Sequence, residues 1–288
     1  MWIRLAARHL ATIVVIVLLG GFLGATLTRI APGFGVDERE LDVRLGEESL
    51  QAIRKSRNEG RNIFVFYGRY LTGLFRGELG ESRALNRPVA ELFAERIPVT
   101  LQSVALGLLG GWLLGLAFAL PTAVYRMWYY DLFTTVLSGA LLCVPSAVLA
   151  LLFVFTGAPA RLAIALVVFP KVFRYVRNLL VDTSTAPHVI TATAKGLGKT
   201  RILLWHVFPA AAPQILALVG VSVSLAFGAS IPIEVICDSP GIGQLAWQAA
   251  LSRDLPLLVN LTVLVGIVTL LANCASEVAT TAFTLQTR

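Results

Sequence analysis

Six stretches of this chain are apolar over about twenty residues each, the length at which a helix crosses the hydrocarbon core of a bilayer. Only helices and closed barrels satisfy every backbone N–H and C=O in that medium, so these runs restrict the fold before any motif is read. They lie at about residues 9–30, 98–124, 131–155, 162–180, 213–236 and 255–273. Composition agrees, because 56% hydrophobic residues with 14% charged is too apolar for an ordinary soluble domain. Mean hydropathy is +0.76. The predicted fold class is therefore an all-α membrane protein with six transmembrane helices. The first run, LATIVVIVLLGGFLGATL after Arg4 and Arg8, reads as a retained anchor. Its apolar core is longer than that of a usual signal peptide, and no clean small-x-small cleavage site follows.

Charge sets the orientation. The formal net charge is +7, which in a membrane protein reflects the Lys and Arg collected on cytoplasmic flanks rather than a nucleic-acid partner. Between residues 171 and 205, Lys171, Arg174, Arg177, Lys195, Lys199 and Arg201 stand against the single acid Asp182. Residues 31–97 instead hold eleven basic and eleven acidic residues. Long translocated segments escape the positive-inside bias, so the basic connection is expected inside and the balanced segment outside. Within the outer segment, 47–57 reads as a soluble helix. Residues 62–77 place Ile63, Phe66, Tyr67, Tyr70, Leu71, Leu74 and Phe75 on one face of an interfacial helix. Asn86-Arg87-Pro88 starts a further short helix that carries Val89, Leu92, Phe93 and Ile97 on one side.

Several positions inside the spans stand out. Gly107, Gly111 and Gly115 recur every four residues, a face that lets another helix approach closely. Pro145 lies inside the third predicted span, where it kinks the helix and is expected to line the bundle interior. Lys171, Arg174 and Arg177 form a one-sided basic stripe on the fourth span, which must snorkel or face a wet cleft. Cys143, Cys237 and Cys274 are scattered, with no spacing that suggests a metal site or a disulfide framework.

The basic connection carries the sharpest local pattern, ITATAKGLGKTRILLWHVFP over residues 190–209. It reads as a small helix, a glycine break, a second small helix and a proline re-entry, a shaped knob for a cytoplasmic partner. Residues 196–200, GLGKT, resemble the tail of a P-loop, but the glycine required five residues before Gly198 is absent, and no nucleotide-binding unit precedes it.

Four blocks in register resemble the permease subunit of binding-protein-dependent ABC importers, in the dipeptide/oligopeptide/nickel branch. They are GELGES at 77–82 with RPVAEL at 87–92 and RIPVTL at 96–101; VPSAVLALL at 144–152; TATAKGL at 191–197; and IEVICDSPGIGQL at 233–245 with SRDLP at 252–256. The resemblance implies a type I ABC importer permease bundle with a long extracytoplasmic segment after the first helix. Residues 1–30 would be the anchor and 31–97 an extracytoplasmic scaffold. Residues 98–276 would be the core domain with a coupling loop at 183–209, and 277–288 a cytoplasmic tail. In such a permease the loop seats in a groove of a cytoplasmic ATPase. Thr191, Ala192, Ala194, Lys195, Gly196, Leu197, Lys199, Arg201, Ile202 and Leu203 are the residues this assigns. Here Gly196 would permit the turn, Ala192 and Ala194 close packing, Leu197, Ile202 and Leu203 apolar knobs, and Lys195, Lys199 and Arg201 a charged rim. For the translocation path or its gate, the candidates are Gly107, Gly111, Pro145, Ser146, Ser222, Ser224, Ser230, Glu234, Pro240, Gly241 and Gly243. An acid such as Glu234 inside a span must be wet or paired, with the donor protein, a cationic part of the substrate or Arg253 as partners.

The implied partners are a second homologous permease, two ABC ATPases, an extracytoplasmic substrate-binding protein and the lipid bilayer. No cofactor is expected on this chain, and ATP and magnesium are expected at the ATPases. The implied location is the bacterial or archaeal inner membrane, multi-pass, with both termini cytoplasmic. Ile190 stands where the branch usually has arginine, and the C-terminal residues lack its usual acidic ending. These departures leave open a non-transporting scaffold or sensor that still binds an ATPase. An intramembrane enzyme would need a constellation such as HExxH, GxSG or paired aspartates, and none is found.

Overall fold

In the computed structural model, the described residues are 76–125 and 127–286, together with isolated positions at 11, 15, 18, 19, 22, 26, 68 and 72–74. Most of the predicted anchor, the 47–57 helix and most of the 62–77 helix lie outside them. The described chain is a two-stranded hairpin followed by helices. Strand β1 (Glu81–Ser82) pairs antiparallel with β2 (Arg87–Pro88), with Glu81 opposite Pro88 and Ser82 opposite Arg87. Then come α1 (Val89–Tyr125), α2 (Trp128–Cys143), α3 (Ser146–Thr156), α4 (Ala160–Thr183), α5 (Pro187–Ala194), α6 (Lys199–Ile202), a π-helical turn (Leu203–Val207), α7 (Phe208–Ile236), α8 (Ile242–Leu251) and α9 (Leu255–Gln286).

Three expectations are corrected. The helix expected to start at Asn86-Arg87-Pro88 begins at Val89, after the hairpin, and is not short: it runs through Pro98 to Tyr125. The third predicted span is two helices bent by 97°. Val144 precedes Pro145 and is held in the extended region (φ −85°, ψ 120°) by the clash that disfavours helix before proline. Pro145 then stands at the start of α3 instead of kinking one long helix. The second loop helix does not end before a proline re-entry. It passes through the π turn directly into α7, where Phe208 N–H bonds the Leu203 carbonyl five residues back and the next residue, Pro209, has no N–H to give. Helix α9 stays helical to Gln286.

Among the described residues, three helical stretches are long and apolar enough to cross a membrane: Val89–Tyr125, Lys199–Ile236 and Leu255–Thr284. The bent pair α2–α3 makes a fourth if counted as one span. Helix α4 has 24 residues, five of them charged, and is less apolar than these.

The chain divides into two compact units, one of residues 1–95 and 245–267, the other of 96–244 and 268–288. The first packs Val89, Leu92 and Phe93 from the start of α1, Leu245 and Ala249 from α8, and Leu255, Leu257 and Val259 from α9, all buried. Asp254, itself buried, accepts hydrogen bonds from Ser82 Oγ (2.5 Å) and the Ala84 N–H (3.0 Å) with Oδ2, and from the Leu257 N–H (3.2 Å) with Oδ1. It thus caps α9 and holds the hairpin loop, so two of the sequence blocks, 77–82 and 252–256, form one structure. Asn260 Nδ2 adds a bond to the Leu79 carbonyl (2.9 Å).

The second unit is centred on α4, whose Ile164, Val168, Val172, Val176 and Leu180 are fully buried. The glycine face of α1 lies against it. A Cβ added at Gly107 would stand 2.6 Å from Ile164 Cγ2, and one at Gly111 would stand 2.8 Å from Val168 Cβ. At Gly115 it would meet Val172 Cγ1 at 2.6 Å. The close helix approach expected from the four-residue spacing is therefore present, and α4 is the helix that makes it. Overpacking such a contact costs about 1–3 kcal/mol. Gly111→Leu is accordingly expected to lower the detergent melting temperature and the yield of monodisperse protein. Gly139→Leu is the control, because a Cβ there meets nothing within 4 Å.

Candidate functional site

The polar loop builds its shape from local chemistry. Pro187 occupies the first turn of α5, where its missing N–H costs nothing. Thr191 and Thr193 donate their hydroxyls to the Pro187 and Val189 carbonyls (3.0 and 2.9 Å). At the other end, the Leu197 N–H reaches the Ala192 carbonyl (3.4 Å) and the Gly196 N–H the Thr193 carbonyl (2.9 Å), the double bond of a Schellman cap. Gly196 sits at φ +77°, the left-handed region that the cap requires and a Cβ disfavours. Gly198 then starts α6, and His188 Nε2 lies 3.3 Å from the His206 carbonyl, tying α5 to the π turn.

The predicted loop residues divide by exposure. Thr191, Ala194, Lys195, Gly196, Lys199 and Arg201 are exposed, and Leu197 is half-buried. Ala192, Ile202 and Leu203 are buried. They lie with Val189 and Val207 in the chain's own core, because a two-helix knob must first bury its inner face to hold a shape. The exposed apolar groups are Ile190 (60%), Leu204 (53%) and Trp205 (73%), which sequence reasoning missed. The signal was there: continuing the helical period from the buried pair 202–203 turns 204 and 205 outward. An open groove of about 660 Å3 is lined by Leu197, Thr200, Arg201, Leu204, Trp205 and His206. The surface is apolar at its centre and basic at its rim, suited to an apolar, acidic protein partner.

Most of the predicted path residues make packing or hydrogen-bond contacts within the chain. Gly107 and Gly111 are buried against α4. Ser222 accepts the indole N–H of Trp112 (3.0 Å) and donates to the Val219 carbonyl (2.8 Å). Ser224 accepts from Asn273 Nδ2 (3.2 Å), and Ser230 donates to the Phe227 carbonyl (2.9 Å). Pro145 is exposed at the bend, with Ser146 half-buried beside it.

Glu234 is fully buried and accepts the Gly243 N–H (2.6 Å) with Oε2, a backbone partner where a basic side chain or substrate was expected. Gly241 and Gly243 are buried beside it, and a Cβ on Gly241 would fall within the carboxylate. The Ile242 N–H donates to Thr100 Oγ1 (2.7 Å), and Arg96 Nη1 to Gln244 Oε1 (3.1 Å). The 239–243 turn, with Pro240 exposed, is thus clamped to α7 and α1. One ion pair escaped the sequence reading: Arg177 grips Asp131 through Nε–Oδ1 (3.0 Å) and Nη2–Oδ2 (2.5 Å), tying α4 to the start of α2. Among the described residues no group of three or more His, Cys, Asp or Glu side chains could hold a metal ion.

Comparison with known proteins agrees with this helical design. Residues 111–287 match the family model of binding-protein-dependent transport system inner membrane components. A protein named as a peptide transport system permease in Brucella melitensis biotype 1 is 27% identical, over 96% of each chain. A peptide transport system permease protein of Brucella abortus is 28% identical over 80% of this chain and 82% of its own. The glutathione transport system permease protein GsiC of Salmonella typhimurium is 25% identical over 80% of this chain and 81% of its own.

Proposed function

The chain belongs to the binding-protein-dependent transport system inner membrane components, and from that premise we propose that it is half of a peptide-conducting pore in an ABC importer. The similarity to proteins named for peptide and glutathione transport favours a peptide or related small solute as cargo. The six spans of the sequence reading complete the pore, with α2–α3 as a broken span and α4 as a charged one. The basic loop faces the cytoplasm, as do both termini, and residues 31–97 face outward. A second permease supplies the other half of the path, and a binding protein delivers the cargo from outside. Two ATPases hold ATP and magnesium, and their closure rocks the permease halves through the loop.

The observation that carries the ATPase contact is the exposed Leu204–Trp205 pair with Arg201, set beside the Gly196 cap on a knob whose inner face is already buried. Large aromatic and arginine side chains dominate protein interfaces, and truncating such an anchor costs about 2 kcal/mol or more. The Leu204→Ser/Trp205→Ser protein, purified with the second permease and the ATPases, is expected to retain at least about ten-fold less ATPase than wild type. Undiminished capture would move the contact off these residues. Uptake of a labelled dipeptide by the wild-type complex in proteoliposomes tests transport itself. Capture without uptake would favour the non-transporting scaffold.

A further inference from the structure

The exposed face of α4 carries cations near the middle of the helix. Over the half of α4 next to the loop, Lys171, Arg174, Tyr175 and Asn178 are exposed and recur at helical spacing. The opposite side, Val168, Val172, Val176 and Leu180, is fully buried. Arg177, which sequence reasoning placed on the same stripe, turns away to pair with Asp131. Among the described residues, neither Lys171 nor Arg174 has an ion-pair partner.

Lys171 is the twelfth residue of a 24-residue helix. At 1.5 Å per residue it stands about 18 Å from Thr183 and Arg174 about 13 Å, in a helix of about 36 Å. A lysine stem bridges only part of that distance, so a mid-helix cation at lipid would be exposed to the hydrocarbon core. Charged groups inside membranes face a wet cavity or a partner charge. The residues expected to line the path are mostly occupied in packing, which leaves this stripe as the polar wall.

Resting on the reading that α4 spans the membrane in a peptide importer, we propose that Lys171 and Arg174 line the water-filled path and bind the carboxylate of the translocated peptide. Two cations in a narrow, low-dielectric channel concentrate anions, and such focusing raises encounter rates by about 10-fold or more. Asn178 extends the stripe as a neutral polar group towards the loop.

The test uses the full complex in proteoliposomes, with Cys143, Cys237 and Cys274 replaced by serine and Lys171→Cys introduced. Thiol reagents of equal size, one bearing a sulfonate and one a quaternary ammonium, are compared. The sulfonate is expected to react about ten-fold faster, with Arg174→Gln removing the preference and added dipeptide slowing the reaction. No reaction, or equal rates for both reagents, would overturn the proposal. Reaction undiminished by saturating dipeptide would overturn the peptide as occupant. Absence of dipeptide uptake by the wild-type complex would instead overturn the importer reading, and the two failures are separately visible.

Discussion

Alanine in place of Asp254 is expected to lower the detergent melting temperature by roughly 5 °C or more, through a loss of about 2–4 kcal/mol. The carboxylate is buried and accepts three hydrogen bonds, from Ser82 Oγ, the Ala84 N–H and the Leu257 N–H. Removing it leaves a buried hydroxyl and two amides without their acceptor, and each such orphan costs about 1–3 kcal/mol less whatever water can recover. It also strips α9 of its N-cap, a loss of about 1 kcal/mol. Asp254→Asn should be intermediate, because its single oxygen can face the hairpin or the helix amide but not both. Thermal melting monitored by size-exclusion recovery ranks the three proteins. Equal stability of Asp254→Ala and wild type would show that the hairpin and α9 do not depend on this carboxylate.

Gly241→Ala is expected to be destabilising by about 1–3 kcal/mol. Its Cβ would occupy the space of the Glu234 carboxylate, which is fully buried and holds the Gly243 N–H at 2.6 Å. Neither side gives easily. Gly243 is itself closed in, since a Cβ there would stand 2.6 Å from the Ile231 Cα, and Ile242 is fastened to Thr100. Overpacking costs about 1–3 kcal/mol, and displacing the carboxylate from its donor adds to it. The Glu234→Ala background isolates the cause. There the space is open, and Gly241→Ala should cost almost nothing more, giving a coupling of about 1–3 kcal/mol in a double-mutant cycle. A penalty of the same size in both backgrounds would show that something other than Glu234 excludes the side chain.

The two cases mark where sequence reasoning stops. Gly241 and Gly243 stand out in any reading as part of a proline-glycine turn, and Glu234 as an acid inside an apolar run. That the three are one object depends on α7 returning its end to the turn, five to nine residues later, at hydrogen-bond distance. Likewise 77–82 and 252–256 were legible as separate blocks. Nothing in their spacing shows that Ser82 and Asp254, 172 residues apart, share a bond.

Local rules did well where the chain acts locally. The Gly196 break and the exposed Lys195, Lys199 and Arg201 follow from capping and charge, which depend on a few neighbouring residues. The four-residue glycine spacing announced a close helix contact, though not which helix would supply Ile164 and Val168. The burial of Ala192, Ile202 and Leu203 was not legible in the same way. Being apolar does not say whether a side chain serves a partner or the chain's own core, and here the knob uses them to hold itself together.

Composition and the period of apolar residues determined that this chain is helical and membrane-bound, because a bilayer demands long apolar runs with internally bonded backbone. Short-range chemistry determined the shape of the polar loop. Only the tertiary structure decided which side of each helix is spent on packing, since that depends on partners far away in sequence. It turned Arg177 onto Asp131 while leaving Lys171 and Arg174 exposed, and it closed Glu234 around a glycine turn.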